Sequence, residues 1–216
     1  MIERIDVDVR TGSRVEQVLE AGNKVVGSFP SKSSSRAATY NCIKQSLVIN
    51  LAMTVSRLYD KGSRRFSPND KDLASIPLMI RIVKQKRCQK RIIDTAFRNW
   101  FPVDSSEYFR NKSKDDAKTA IDRAIQIYDE KVASAQHRHY RTLLKRLRDS
   151  ELAHSKLEEY LDRKPTYNHL FHLMAAAREI TELLTLAVRG HNIRYSELVA
   201  SIESNANDFW SKALRP

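Results

Sequence analysis

Residues 113–148 read SKDDAKTAIDRAIQIYDEKVASAQHRHYRTLLKRLR. Ala117, Ala120, Ile121, Ala124, Ile125, Ile127, Tyr128 and Val132 recur at intervals of three and four, the period of a helix with one apolar face. Ser113, with Asp115 and Asp116 behind it, reads as an N-cap followed by first-turn acids. No Gly or Pro interrupts the text before Arg148. The spacing therefore predicts one helix of roughly 35 residues, about 52 Å long.

The same period extends on both sides. Ala38, Cys42, Ser46, Ile49 and Met53, widened by Ile43, Leu47, Leu51, Val55 and Leu58, predict a helix from Ser35 that ends near Asp60-Lys61-Gly62. Ser67-Pro68-Asn69-Asp70 opens another segment, and Pro77 interrupts it before a longer helix from about Ile76 to Trp100, closed by Phe101-Pro102. Pro165-Thr166 caps a helix whose inner stripe is Tyr167, Leu170, Met174, Ala177, Thr181, Leu184 and Val188. Gly190 stops it, and Ser196 to Leu214 makes the last helix. The first 32 residues read differently: Ile2, Ile5, Val7 and Val9 suggest a short strand or docked arm, and Val15, Val18 and Leu19 a short helix. Gly22, Gly27 and Pro30 then mark a break. The expected organisation is an all-α bundle of long antiparallel helices over residues 33–216, with residues 1–32 as an N-terminal arm or extension.

Composition narrows the function classes. Hydrophobic residues make up 41% and charged residues 30% of the 216, a globular balance rather than a disordered one. No apolar run reaches the ~20 residues of a membrane span, and the first residues lack a signal-peptide pattern. Cys42 and Cys88, 46 positions apart, make neither a disulfide framework nor a cysteine-built zinc site. They read as buried or half-buried thiols of a reduced, cytoplasmic protein. The net charge of +12 and pI near 9.8 favour an anionic partner, nucleic acid ahead of membrane. From Arg57 to Arg98 there are 12 basic and 4 acidic residues. The densest cluster is Lys84, Lys86, Arg87, Lys90 and Arg91, and a second runs from His137 to Arg148. Either cluster also fits a solvated helix face.

On a helical wheel Arg138, Arg141 and Lys145 fall within about 80° of Arg148, so four cations share a stripe. Tyr140, Leu143, Leu144 and Leu147 form an apolar seam beside it, with His154 in line at its far end. A histidine in that place is ordinarily a core or interface residue. The segment Arg148-Asp149-Ser150-Glu151-Leu152-Ala153-His154, however, resembles the Arg-polar-x(n)-His motif of the HEPN superfamily. LRDSELAHSK in particular is similar to the AbiU-like branch tied to bacterial abortive infection. SLVINLAMTVSRLYDKGSRRFS, residues 46–67, resembles the early helix of that branch. The resemblance spans roughly residues 35–190.

The resemblance implies a HEPN-like helical bundle that dimerises into a metal-independent endoribonuclease without cofactor, with a composite site at the two-fold interface, serving phage defence or acting as a toxin. His154 would be the general acid/base, Arg148 would stabilise charge on the phosphorane, and Asp149 would orient one of them. RNA would run along Arg138, Arg141 and Lys145, with Lys84, Lys86, Arg87, Lys90 and Arg91 as a further contact area. A neutralising or activating protein would be the second kind of partner.

One straight helix cannot bring the pair together: six residues mean about 240° of rotation and ~9 Å of rise. A break near Asp149-Ser150, or a composite site in which the Tyr140/Leu144/Leu147 seam packs on its copy, answers this. Ser150 and Glu151 can assist or be solvated, and His137 and His139 extend the stripe. Tyr59, Trp100, Phe101 and Tyr108 suit core packing before base stacking. Lys156 stands where some HEPN toxins carry Tyr. Two rival readings remain. One is a non-catalytic HEPN-like module that binds nucleic acid or a partner. The other is a metal-dependent enzyme built on His169 and His172, a pair that more simply sits partly exposed near a helix start.

Overall fold

A computed structural model describes residues 1–28, 35–61, 74–100, 106–147 and 165–214. Their elements are helices: α1 (Ile2–Gly27), α2 (Ser35–Leu58), α3 (Ile76–Val83), α4 (Lys86–Trp100), α5 (Glu107–Tyr128), a π turn (Asp129–Ala133), α6 (Ala135–Leu147), α7 (Tyr167–Arg189) and α8 (Tyr195–Ala213). The class is all-α, as the periodicity predicts. No helix among the described residues is long and apolar enough to cross a membrane.

The N-terminal expectation needs correction. Residues 2–27 form one helix, with Ile2, Ile5, Val9 and Leu19 buried in the main core. Gly22 does not break α1; the Tyr40 ring occupies the space that a side chain there would need. Helix α1 runs antiparallel to α7, through Glu3–Arg189 and Glu16–Arg178. It runs alongside α8 in the same direction: Tyr195 Oη donates to Asp6, and Trp210 Nε1 donates to the Val18 carbonyl at 2.9 Å. Tyr40, Trp210, Ala21, Ala206 and Leu214 make a second, smaller apolar cluster.

Three other boundaries differ from the sequence reading. Helix α5 is capped by Ser106 and starts at Glu107, about two turns before Ser113. Ser113 is buried inside it and donates Oγ to the Arg110 carbonyl at 2.9 Å. The expected 35-residue helix is divided by the π turn and by Ser134 (φ −56°, ψ 158°), which leaves helical space to cap α6. The Ile76–Trp100 helix turns at Lys84–Gln85, where Lys84 Nζ reaches both carboxylate oxygens of Asp129 at 2.8 Å. The later helices match: Thr166 caps α7, and Gly190 (φ 69°) ends it in the left-handed conformation. Cys42 is exposed and Cys88 half-buried, so neither thiol belongs to the core. Gly62, the Ser67–Asp70 start and Phe101-Pro102 lie outside the described residues.

Candidate functional site

Arg148, Asp149 and His154, with Ser150, Glu151 and Lys156, lie outside the described residues. The ground on both sides of them is described: α6 runs up to Leu147, and α7 begins at Tyr167.

Helix α6 and the C-terminal end of α2 enclose a cleft of about 230 Å³. Helix α6 contributes Arg138, Arg141, Thr142, Leu144 and Lys145; α2 and the residues after it contribute Val55, Ser56, Tyr59, Asp60 and Lys61. The stripe drawn on the wheel is thus gathered on one wall of a concave site. The floor is rigid. Val55, Leu144 and Tyr59 are buried, and the Tyr59 hydroxyl donates to the Leu173 carbonyl at 2.7 Å. Burial pushes that phenol far above its ordinary range, so it stays a neutral donor. Arg141 is half-buried, and its Nε is buried without a hydrogen-bond partner among the described residues. Arg138 donates to the Ala133 carbonyl at 3.3 Å, and Thr142 Oγ1 to the Arg138 carbonyl at 3.0 Å.

Half of the apolar seam is spent within the chain. Leu143 and Leu144 are 4% and 2% exposed, and Tyr140 and Leu147 pack against the main core. Leu143 and Leu144 therefore offer no face to a copy, whereas Tyr140 and Leu147, the other members of the seam, are half-buried.

The 84–91 cluster forms a separate patch. Lys84 pairs with Asp129, and Lys90 with Asp94 at 2.6 Å. Gln89 donates to Asp122 on α5. Lys86, Arg87 and Arg91 are exposed and form no ion pair among the described residues. Of the aromatics, Tyr59 and Trp100 pack inward, Tyr108 is 67% exposed against Phe109, and Phe101 lies outside the described residues.

The starts of α6 and α7 form a feature the sequence reading missed. Thr166 and His169 make a reciprocal capping box, with the Thr166 N–H donating to His169 Nδ1 at 3.2 Å. Ser134 and His137 repeat the spacing, with Oγ and Nδ1 2.8 Å apart. The two helix starts meet so that His137 stacks on His172 (4.0 Å) and Tyr140 on His169 (3.9 Å). His172 Nε2 lies 3.2 Å from the Lys131 carbonyl on the π turn. Burial, with His172 as neighbour, holds the His137 imidazole below its ordinary pKa; burial, then His139 and His172, does the same for His169. Rings stacked face to face do not converge their nitrogens on one point, and no metal-holding group occurs among the described residues. His169 and His172 are half-buried near a helix start, as the plainer reading has it. The signal was present in the text, since Ser134-x-x-His137 and Thr166-x-x-His169 share the spacing of a capping box.

An all-α bundle with a cationic cleft leading into an Arg-Asp-x(4)-His segment belongs to the HEPN class. Residues 25–209 match the family model HEPN_AbiU2, described as AbiU2, and the chain belongs to that family: it is an abortive-infection HEPN domain. No curated protein and no solved structure matches the chain.

Proposed function

We propose that this HEPN domain is a metal-independent endoribonuclease in which His154 moves the proton, Arg148 stabilises the phosphorane and Asp149 orients one of them. RNA carries its own nucleophile. The 2′-oxygen attacks the adjacent phosphorus as its proton passes to the imidazole. The P–O5′ bond breaks, leaving a 2′,3′-cyclic phosphate and a 5′-hydroxyl that takes up a proton. An imidazole of ordinary pKa near 6.5 exchanges protons at neutral pH. A guanidinium stays charged and offers a fork to phosphate oxygens. The observation that carries the reading is the cleft: Arg138, Arg141 and Lys145 face one hollow on the helix that leads into Arg148.

Because Arg148 and His154 are too far round a single helix to meet, a two-fold site shared between copies completes the reading. The copies would meet on surfaces other than the Leu143/Leu144 seam. Such a nuclease serves phage defence or acts as a toxin held in check by a partner. The experiment incubates a long RNA in EDTA with wild type, His154→Ala and Arg148→Ala, each checked for mass in solution. Cleavage by wild type, lost in both variants with the dimer intact, is expected. A protein that binds RNA in all three forms and cuts in none is a binding module instead. Cleavage abolished by EDTA points to metal chemistry.

A further inference from the structure

Ala38, Cys42, Ser46, Ile49 and Met53, the stripe whose period predicts α2, lie on the side of that helix turned away from the core. The first four are exposed and Met53 is half-buried, while Tyr40, Leu51, Val55 and Leu58 fill the opposite side. The stripe is about 22 Å long. Ile49, and Ile43 at its edge, are each 41% exposed. Residues 38–53 hold one charged side chain, Lys44, in a chain that is 30% charged. Lys44 stands off the stripe, its Nζ 5.3 Å over the Tyr167 ring. Such a face offers no cation to a phosphate or to an acidic protein. It is where two chains of +12 approach without setting like charges opposite one another.

The stripe is also complementary to itself. Its small residues, Ala38 and Cys42, come first, and its large ones, Ile49 and Met53, come last. A two-fold axis between Gln45 and Ser46 sets two α2 helices antiparallel. It seats Met53 of each copy on Ala38 of the other and Ile49 on Cys42, large against small at each step. The neighbouring helices run in directions that fit. Helix α2 runs with α7, since Lys44 lies over Tyr167 and the Tyr59 hydroxyl reaches Leu173. Helix α6 runs against α7, since His137 stacks on His172 and Tyr140 on His169. Helix α6 therefore points from the cleft back along α2, toward the level of that axis. We infer that the exposed face of α2, Ala38 to Met53, is the interface between two copies of this chain, paired antiparallel about Gln45 and Ser46. The inference rests on the ribonuclease reading only for the need of a second copy to complete its site; the charge and size pattern of the face stand without it.

The test is sedimentation equilibrium of the full-length chain, which is expected to be a dimer. Ile49→Glu should raise the dissociation constant at least tenfold with Tm unchanged, because that side chain is exposed within one chain. Ser46→Glu, at the axis, carries the test if Ile49→Glu does not fold. Val7→Glu, at a site on α1 that is 50% exposed, should change the constant less than twofold. A second measurement reads the register. In a Cys88→Ser background, Ile49→Cys should link to Cys42 of the other copy under copper phenanthroline, giving a reducible dimer on a denaturing gel. Cys88→Ser alone should stay unlinked, because the pairing holds its two Cys42 side chains about 10 Å apart along the helices. A monomer at every concentration, a dimer that neither glutamate weakens, or equal losses in Ile49→Glu and Val7→Glu overturn the interface. A dimer without the Ile49→Cys link overturns the antiparallel pairing. RNA cleavage is read separately. A dimer on this face that cuts nothing counts against the nuclease and leaves the interface standing; a dimer and cleavage that both survive Ile49→Glu do the reverse.

Discussion

A glycine inside a helix costs about 1 kcal/mol relative to alanine, yet α1 keeps Gly22 in mid-course. The reason is Tyr40, whose hydroxyl bonds to the Leu19 carbonyl at 3.2 Å and to Asn23 at 3.1 Å, and whose ring packs edge-on against Trp210. Burial holds that phenol up at about 12. Pinned at both ends, the ring cannot retreat from a new methyl group. Overpacking of this kind costs about 1–3 kcal/mol, more than the propensity gained. Gly22→Ala is therefore expected to lower Tm by several degrees, at about 2–4 °C per kcal/mol for a chain this size. Gly27 is the control: nothing among the described residues lies within 4 Å of its Cβ position, so Gly27→Ala should leave Tm unchanged or raise it. A Gly22→Ala protein that melts higher than wild type would show that Tyr40 is not held there.

At the scale of elements, the paired starts of α6 and α7 give stability a pH dependence with a definite sign. His137 and His169 are held below the ordinary histidine pKa in the folded state. The unfolded chain therefore binds more protons between the lowered values and about 6.5. The contribution is complete above about 6.5 and is lost as pH falls through the folded values. Around the rings stand His139, His172 and Tyr140, with the Lys131 carbonyl against His172. A proton on His169 Nδ1 also removes the acceptor that Thr166 N–H uses. Melting temperature should thus fall between pH 7 and pH 5, and His137→Gln/His169→Gln should flatten that slope, because glutamine completes a capping box without titrating. An unchanged slope in the double variant would place the titration elsewhere. The elements themselves were unevenly legible. The ends of α7 could be read because Thr166 and Gly190 act through local backbone geometry alone. The break at Lys84–Gln85 could not, because the apolar period runs through it and Lys84 pairs there with Asp129, distant in sequence; the break at Ser134 had a local signal in the Ser134-x-x-His137 spacing, which the unbroken apolar period overrode in the reading. The stripe of Arg138, Arg141 and Lys145 followed from spacing, whereas its opposite wall on α2 comes from tertiary packing that spacing does not encode. Arg148, Asp149 and His154 stand on sequence and family alone.

Across the whole molecule, charge is sorted by α1. Glu3 pairs with Arg189, Asp8 with Arg57 and Glu16 with Arg178, while Asp6 holds both Arg10 and the Tyr195 hydroxyl. These acids neutralise cations of α2 and α7 and leave the positive excess to the α6 cleft and the α4 face. Glu16 and Arg178 are 5% and 17% exposed. Burial raises the Glu16 carboxyl despite its partner, so that pair is a buried one whose breakage costs about 3–5 kcal/mol. The family match begins at residue 25, beyond most of α1, which invites the view that the first helix is an appendage. The packing argues otherwise. A chain beginning at Val25 would uncover the faces that Ile5, Val9 and Leu19 fill, each worth about 1.5–3 kcal/mol, and would strand Arg178 without Glu16. Together these reach the 5–15 kcal/mol that holds an ordinary domain folded. The shortened chain is expected to lose its cooperative melt by circular dichroism and to become sensitive to brief proteolysis, and adding residues 1–24 back as a separate peptide should restore little, since the bundle it must join is no longer formed. A cooperative transition in the shortened chain, within a few degrees of full length, would instead establish residues 1–32 as an extension on a self-sufficient domain.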